Sequence, residues 1–247
     1  MQSTMMTDER VLADQGGGIV FDAGLVPAVD RRWFEPAWWQ GQGALAAATG
    51  GRGGVSIIRT DAGEAVLRHY RRGGMVANIL GDRYLWLGAD RTRSFREFRL
   101  LAHLLGRGLP VPAPLAAGFV RHGLRYSADL VTLRIPCAST LAEKIAAGSV
   151  DTELAGQVGA LVARFHREGV WHADLNAHNI LVNPEGLYLI DFDRGRLRAP
   201  HLSWQQDNLD RLRRSLIKVG AARSGDRAFD TDVWKPLVYR YERTLGA

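Results

Sequence analysis

The most constraining feature of this 247-residue sequence is a short polar segment at residues 172–179, His-Ala-Asp-Leu-Asn-Ala-His-Asn. Apolar residues at helical spacing precede it over residues 152–168, and apolar runs typical of strands follow it at residues 180–182 and 187–190. The second run leads into Asp191-Phe192-Asp193. Carboxylates and amides are therefore concentrated where a helix and two strands meet, which indicates a functional site.

In order and separation, these segments resemble the catalytic loop of kinases, His-x-Asp-x-x-x-x-Asn, and its downstream metal-binding Asp-Phe-x. Phosphoryl transfer needs oxygen ligands for a divalent metal and a carboxylate that orients and deprotonates the acceptor hydroxyl. The resemblance assigns the carboxylate role to Asp174, and it assigns Mg²⁺ to Asn179 and Asp191. One such residue alone would indicate no more than a turn, and His172 alone a core histidine, but the whole string indicates catalysis.

The first half of the chain has the pattern of a nucleotide-covering sheet. A glycine-rich turn at residues 50–54 precedes a β-rich run at residues 55–60, and a second run at residues 64–70 is predicted to pair back on it. Backbone N–H groups in such a turn can approach the phosphates of ATP closely, although a flexible surface turn would also be rich in glycine. The expected nucleotide contacts here are Gly51, Arg52, Gly53, Gly54 and Val55.

Arg68 stands where kinases carry a lysine that binds the α- and β-phosphates and pairs with a helix glutamate. The chain has only three lysines, all in its second half, so a shift of register does not supply the usual residue. Residues 93–107 are predicted to be helical, and Glu97 on this helix is the expected partner of Arg68. The alternative is that both residues are solvated surface charges.

Residues 67–74, Leu-Arg-His-Tyr-Arg-Arg-Gly-Gly, look like a segment of 3-deoxy-D-manno-octulosonic acid (Kdo) kinases, which belong to the lipopolysaccharide kinase group. The resemblance covers about residues 50–219. It implies ATP-dependent phosphorylation of Kdo on a lipid A precursor, at the cytoplasmic face of the inner membrane of a Gram-negative bacterium. Arginine forks suit a carboxylated, phosphorylated glycolipid, so we expect Arg71 and Arg72 to bind the substrate. No nucleic-acid or protein partner is inferred.

The predicted fold is α+β and two-lobed, similar to protein kinases. Residues 1–49 are expected to form an irregular N-terminal arm, residues 50–136 an antiparallel β-lobe with one helix, and residues 137–247 a mainly helical catalytic lobe, with a hinge near residues 133–138.

The predicted arm carries an aromatic cluster after two arginines, the net charge is +6, and no apolar run is long enough to span a bilayer. The arm is therefore expected to bind an anionic membrane peripherally, or alternatively to pack on the β-lobe. The two arginines are Arg31 and Arg32, and the aromatic cluster comprises Trp33, Phe34, Trp38 and Trp39.

Only about ten residues separate Asp193 from the next predicted helix, and none before Ser203 is Ser, Thr or Tyr. A regulated protein kinase needs a longer activation segment, so the sequence disfavours a protein substrate. A small-molecule kinase of the aminoglycoside or choline type is the alternative enzyme. A non-catalytic pseudokinase scaffold is a further alternative, which the intact Asp174, Asn179 and Asp191 disfavour.

Overall fold

The structure is a computed structural model that describes residues 7–14, 16–49, 54–70 and 84–246. The chain divides into two compact units. The first comprises residues 1–108 and 112–134, and the second comprises residues 109–111 and 135–247. The division after residue 134 falls within the stretch that was predicted to connect two lobes.

The first unit is built on one antiparallel sheet with the strand order β1-β2-β7-β8-β5-β4-β3, and β6 pairs with β8. The predicted hairpin of β4 and β5 is present, with Val55 opposite Arg68. The strands are β1 (Glu9–Asp14), β2 (Gly17–Asp22), β3 (Leu45–Thr49), β4 (Val55–Thr60), β5 (Gly63–His69), β6 (Tyr84–Leu85), β7 (Pro114–His122) and β8 (Arg125–Leu133).

Two α-helices of the described residues accompany this sheet, α1 (Pro36–Gly41) and α2 (Arg93–Gly106). Helix α2 is the predicted one, and it buries residues at the spacing of one helical face. Its buried apolar side chains are Phe95, Phe98, Leu101 and Leu104. Glu97 is buried on the same helix.

The prediction of an irregular N-terminal arm is wrong. Strands β1 and β2 form a hairpin, and β2 pairs with β7 inside the main sheet. Gly17 makes this pairing possible, because a Cβ atom there would lie 2.3 Å from the Phe119 carbonyl oxygen. Strand β2 is buried along its whole length, so its sequence lacks the alternation that marks a half-exposed strand.

The tryptophans of this region belong to the core of the first unit. Trp39 is buried, and its Nε1 donates a hydrogen bond to the Trp33 carbonyl oxygen at 2.8 Å. The rings of Trp33 and Trp38 both meet the ring of Trp39 edge to face, and all three contact a cluster that includes Ile19 and Phe21. The alternative expectation, packing on the β-lobe, describes these residues correctly.

The second unit is mainly helical. Its α-helices are α3 (Leu141–Ala146), α4 (Thr152–Arg167), α5 (Leu202–Lys218), α6 (Asp226–Phe229) and α7 (Lys235–Leu245), with a π-helical turn at Asp230–Trp234. Helices α4 and α7 pack closely at Gly159. A Cβ atom at this position would lie 2.0 Å from the Leu237 carbonyl oxygen, so the close approach requires glycine. Short strands complete the unit: β9 (Ser139–Thr140), β10 (Val170–Trp171), β11 (Ile180–Asn183), β12 (Gly186–Leu189) and β13 (Arg196–Leu197).

Among the described residues, no helix combines the length and the apolar character that a membrane span requires.

Candidate active site

The polar segment at residues 172–179 begins where α4 ends. Gly169 follows the helix in a left-handed conformation with φ of 72°. A Cβ atom at this position would lie 2.2 Å from the Arg198 carbonyl oxygen, so only glycine allows the chain to pass here. Strand β10 then pairs with β13 and leads directly into His172.

His172 ties the loop to the segment that carries Asp191. Its buried ring accepts a hydrogen bond from the Asp174 backbone N–H at Nδ1 (3.1 Å) and lies 3.0 Å from the Ile190 carbonyl oxygen at Nε2. These partners require a neutral ring that carries its proton on Nε2. Burial lowers the pKa of His172, which favours the same neutral form. The ring edge also meets Phe192 at 4.9 Å between centroids.

Asp174 presents its carboxylate to solvent, with a side chain that is 56% exposed. One oxygen accepts a hydrogen bond from Asn176 Nδ2 at 3.0 Å, and the other lies 3.5 Å from Arg211 Nη1 on α5. The buried Asn179 donates from Nδ2 to the Asp174 carbonyl oxygen at 2.9 Å. The amide nitrogen is a donor only, so Oδ1 is the atom by which Asn179 can bind a cation.

Asp191 is held beside the strand that follows Asn179. The Ile190 N–H donates to the Asn179 carbonyl oxygen at 3.0 Å, and the buried Phe192 stacks on Phe165. Asp191 itself has φ of 62°, a left-handed conformation that aspartate tolerates better than most residues. A non-glycine residue in this region indicates a local constraint of the kind that occurs at functional sites.

No group of three or more His, Cys, Asp or Glu side chains among the described residues forms a preassembled metal site. The chemistry of Asn179 and Asp191 nevertheless fits Mg²⁺. That ion prefers a few hard protein oxygens and completes its shell with water and substrate phosphates.

Asn208 on α5 is a positioning residue that sequence reasoning missed. Its buried amide accepts the His172 backbone N–H at 3.3 Å and donates to the His172 carbonyl oxygen at 3.0 Å. The missed signal is an asparagine on the apolar face of a helix, next to Leu209 and one turn before Leu212. A buried amide there has to find partners, and the catalytic loop provides them.

The same amide connects to the buried His166, whose Nε2 lies 3.4 Å from Asn208 Oδ1 and whose Nδ1 lies 2.9 Å from the Tyr241 hydroxyl. Burial lowers the pKa of His166 to about 4. Between the unfolded-state pKa of about 6.5 and the lower native pKa, His166 is protonated in the unfolded chain but neutral in the native protein. We expect this to reduce the free energy of unfolding by about 3 kcal/mol between pH 6.5 and pH 4. Urea unfolding at several pH values measures the slope.

A His166→Gln variant should lose less stability on acidification than the wild-type protein, with the buried His172 still contributing, and exposed His201→Gln should keep the wild-type slope. An identical slope in His166→Gln and the wild-type protein would contradict the assignment.

In the first unit, the predicted Arg68–Glu97 pair is present. Arg68 Nη2 lies 2.5 Å from Glu97 Oε2, and the Tyr70 hydroxyl donates to the same oxygen at 2.6 Å. The guanidinium also lies over the Tyr70 ring, 4.8 Å from its centroid. Tyr70 is a further residue that sequence reasoning missed. Its pKa is raised well above the usual value by burial and by the charge of Glu97.

Replacing Glu97 by glutamine should destabilise the protein, because the mostly buried Arg68 charge would lose its carboxylate. We expect a loss of about 2 to 3 kcal/mol, somewhat less than for a fully buried pair because the Arg68 side chain is 22% exposed. Glu64→Gln is a matched control, since it breaks the exposed Arg134–Glu64 pair and should cost less than about 1 kcal/mol. Equal losses in urea unfolding would contradict a special role of Glu97.

Of the remaining predicted site residues, Val55 begins β4 and Gly54 directly precedes it, and the Gly54 carbonyl oxygen accepts the His69 N–H at 3.3 Å. The others, Gly51, Arg52, Gly53, Arg71 and Arg72, lie outside the described residues.

Comparisons with known proteins agree with these observations. The sequence model of the lipopolysaccharide kinase (Kdo/WaaP) family matches residues 36–241. The 3-deoxy-D-manno-octulosonic acid kinase of Xylella fastidiosa (strain M12) is 50% identical over 214 residues, which are 86% of this chain and 85% of that protein. The kinase of the same name from Xanthomonas oryzae pv. oryzae (strain PXO99A) is 49% identical over 233 residues, 93% of this chain and 91% of that protein.

Among solved structures, WaaP in complex with acyl carrier protein superposes with a TM-score of 0.54 at 16% identity, covering 87% of this chain and 88% of that one. This similarity confirms the predicted protein-kinase-like fold. Because WaaP in that structure is bound to a protein, the expectation that no protein partner is involved has no support.

Proposed function

Because the chain belongs to the lipopolysaccharide kinase (Kdo/WaaP) family, we propose that it transfers the γ-phosphoryl group of ATP to a hydroxyl of Kdo on a lipid A precursor. The observation that carries this proposal is the ordered loop in which His172 fixes Asp174 and Asn179 relative to Asp191. The same observation argues against a pseudokinase, because a protein without turnover has no need of this arrangement.

In the proposed reaction, the acceptor hydroxyl oxygen forms a bond to the γ-phosphorus while the bond from that phosphorus to the bridging oxygen of ADP breaks. The Asp174 carboxylate orients the hydroxyl and receives its proton, and Arg211 and Asn176 restrain the carboxylate. Asn179 and Asp191 are the residues that would hold Mg²⁺. When bound, Mg²⁺ would neutralise charge on the phosphate oxygens.

Arg68 is proposed to contact the α- and β-phosphates. Glu97 and Tyr70 both accept from Nη2 of the guanidinium, which fixes the orientation of its planar fork. The backbone of Gly51 to Val55 would cover the phosphates, and Arg71 and Arg72 would bind the carboxylate and phosphates of the acceptor. We place the enzyme at the cytoplasmic face of the inner membrane, where a lipid A precursor presents its sugar.

The proposal is tested by measuring ATP consumption with a panel of acceptors at fixed Mg²⁺. The panel contains a Kdo-bearing lipid A precursor, free Kdo, an aminoglycoside and choline. We expect rapid, acceptor-dependent ATP consumption with the Kdo-bearing lipid and none with the aminoglycoside or choline. Turnover with the aminoglycoside or choline, without turnover of the Kdo-lipid, would instead favour a small-molecule kinase.

A further inference from the structure

Three strongly exposed leucines lie together at one edge of the sheet in the first unit. Leu85 is 62% exposed, Leu87 is 60% exposed and Leu124 is 78% exposed. Leu124 is in the turn between β7 and β8, and its carbonyl oxygen accepts the Trp86 N–H at 2.9 Å. These residues are therefore neighbours in space, and we refer to Leu85, Leu87 and Leu124 as the leucine edge.

The fold does not require apolar residues at these positions. Along residues 84–87, Tyr84 and Trp86 point inward, where Tyr84 is buried and the Trp86 ring packs 5.0 Å from Phe119. Side chains alternate between the two faces of a strand, so Leu85 and Leu87 point outward, where a half-buried strand normally carries polar residues. Burying apolar side chains of this size is favourable, so their exposure indicates an interaction surface.

The turn supports the same conclusion. Gly123 has φ of 64°, as the first central position of a two-residue hairpin turn requires. The turn does not require leucine at its second central position, Leu124, because polar residues form such turns equally well. A leucine at the tip of a hairpin is instead suited to insertion into an apolar medium.

The charges around the leucine edge are positive. Arg125 is paired with Leu85 across β6 and β8 and shares its outward face, and Arg121 lies over the Trp86 ring at 5.2 Å. In the part of the chain that the structure describes, neither arginine has a carboxylate partner. The only acidic residue within residues 84–91 and 119–127 is Asp90, which pairs with Arg99 at 2.7 Å. Basic residues close to an anionic lipid surface are attracted to it.

We propose that the leucine edge, with Arg121 and Arg125, is the surface by which this protein docks on an anionic lipid bilayer. The leucines enter the interfacial region and the arginines contact lipid phosphates, as in other peripheral proteins that combine apolar burial with basic residues. This surface replaces the aromatic cluster of Trp33, Phe34, Trp38 and Trp39, whose side chains pack in or against the core of the first unit. This inference rests on the proposed function in one respect only, because a glycolipid substrate explains why the protein would bind a membrane. Docking itself requires no turnover.

The test is co-sedimentation of the full chain with vesicles across a salt series. The vesicles contain either phosphatidylcholine alone or phosphatidylcholine with one quarter phosphatidylglycerol. We expect binding to the anionic vesicles at low salt, weaker binding at high salt and weak binding to the neutral ones. The triple variant Leu85→Ser, Leu87→Ser, Leu124→Ser should lower the partition coefficient at least about tenfold, because the membrane would bury less apolar surface.

The matched control replaces three other exposed apolar residues, Val11, Leu12 and Leu202, by serine and should bind vesicles like the wild-type protein. Circular dichroism and urea unfolding verify that both triple variants are folded. Wild-type-like binding by the leucine-edge variant, or no vesicle binding by the wild-type protein, would overturn the proposal. The proposal would also be overturned if light scattering showed a dimer for the wild-type protein and a monomer for the leucine-edge variant. In that case the leucine edge would bind a second copy of this chain and not a membrane. Vesicle binding without turnover of any Kdo acceptor would uphold this surface and refute the proposed function.

Discussion

Replacing Asp174 by asparagine is expected to lower kcat with the Kdo-bearing lipid at least about 100-fold, the usual contribution of a general base. Asparagine keeps the size of the side chain but does not accept the acceptor proton. KM for ATP should change little, because Asp174 is assigned to the acceptor and not to the nucleotide. The free energy of unfolding should fall by less than about 1 kcal/mol, since the carboxylate is exposed and its contact with Arg211 is a surface ion pair.

Asp207→Asn is the matched control, because it removes an exposed carboxylate from α5 without touching the catalytic loop. Single-turnover kinetics on folded proteins distinguish the two variants. A rate near that of the wild-type protein in Asp174→Asn would show that the carboxylate does not act as the base.

Replacing Asp191 by asparagine is expected to lower turnover by at least about two orders of magnitude, since metal stabilisation of the transferring phosphate is worth several kcal/mol. The Mg²⁺ concentration needed for half-maximal activity should rise, while nucleotide affinity measured without metal should change little. Asparagine is the informative replacement because it tolerates the left-handed backbone at this position, where φ is 62°. Alanine would add backbone strain and confuse a metal effect with a folding effect.

The measurement is activity as a function of Mg²⁺ concentration, with Asp207→Asn again as the control. A titration curve identical to that of the wild-type protein would mean that Asp191 has a structural role only.

The elements that the sequence predicted well are those with a clear period or a clear stop signal. Helix α2 has apolar residues at helical spacing, and the hairpin of β4 and β5 has a turn signal between two β-rich runs. Strand β2 has neither property, because it is buried along its whole length and begins with two glycines. Its position depends on pairing with β7, about one hundred residues later in the chain, which no local pattern encodes.

The site divides in the same way. Asp174, Asn179 and Asp191 could be proposed from the sequence because phosphoryl transfer requires these residue types in a fixed local order. The residues that support them come from distant parts of the chain, as with Asn208, which contacts His172 across 36 positions. Tyr70 was missed for the same reason, since its hydroxyl meets Glu97 across 27 positions. Such contacts follow from tertiary packing and not from spacing.

The most direct test of the central proposal is mass spectrometry of the lipid product after incubation with ATP and Mg²⁺. We expect the Kdo-bearing lipid A precursor to gain the mass of one HPO₃ group, and fragmentation to locate this group on the Kdo sugar. Asp174→Asn should yield almost none of this product under the same conditions. An unmodified lipid after incubation with wild-type protein that is folded and binds ATP, or a phosphate located on the lipid A part, would contradict the proposed function.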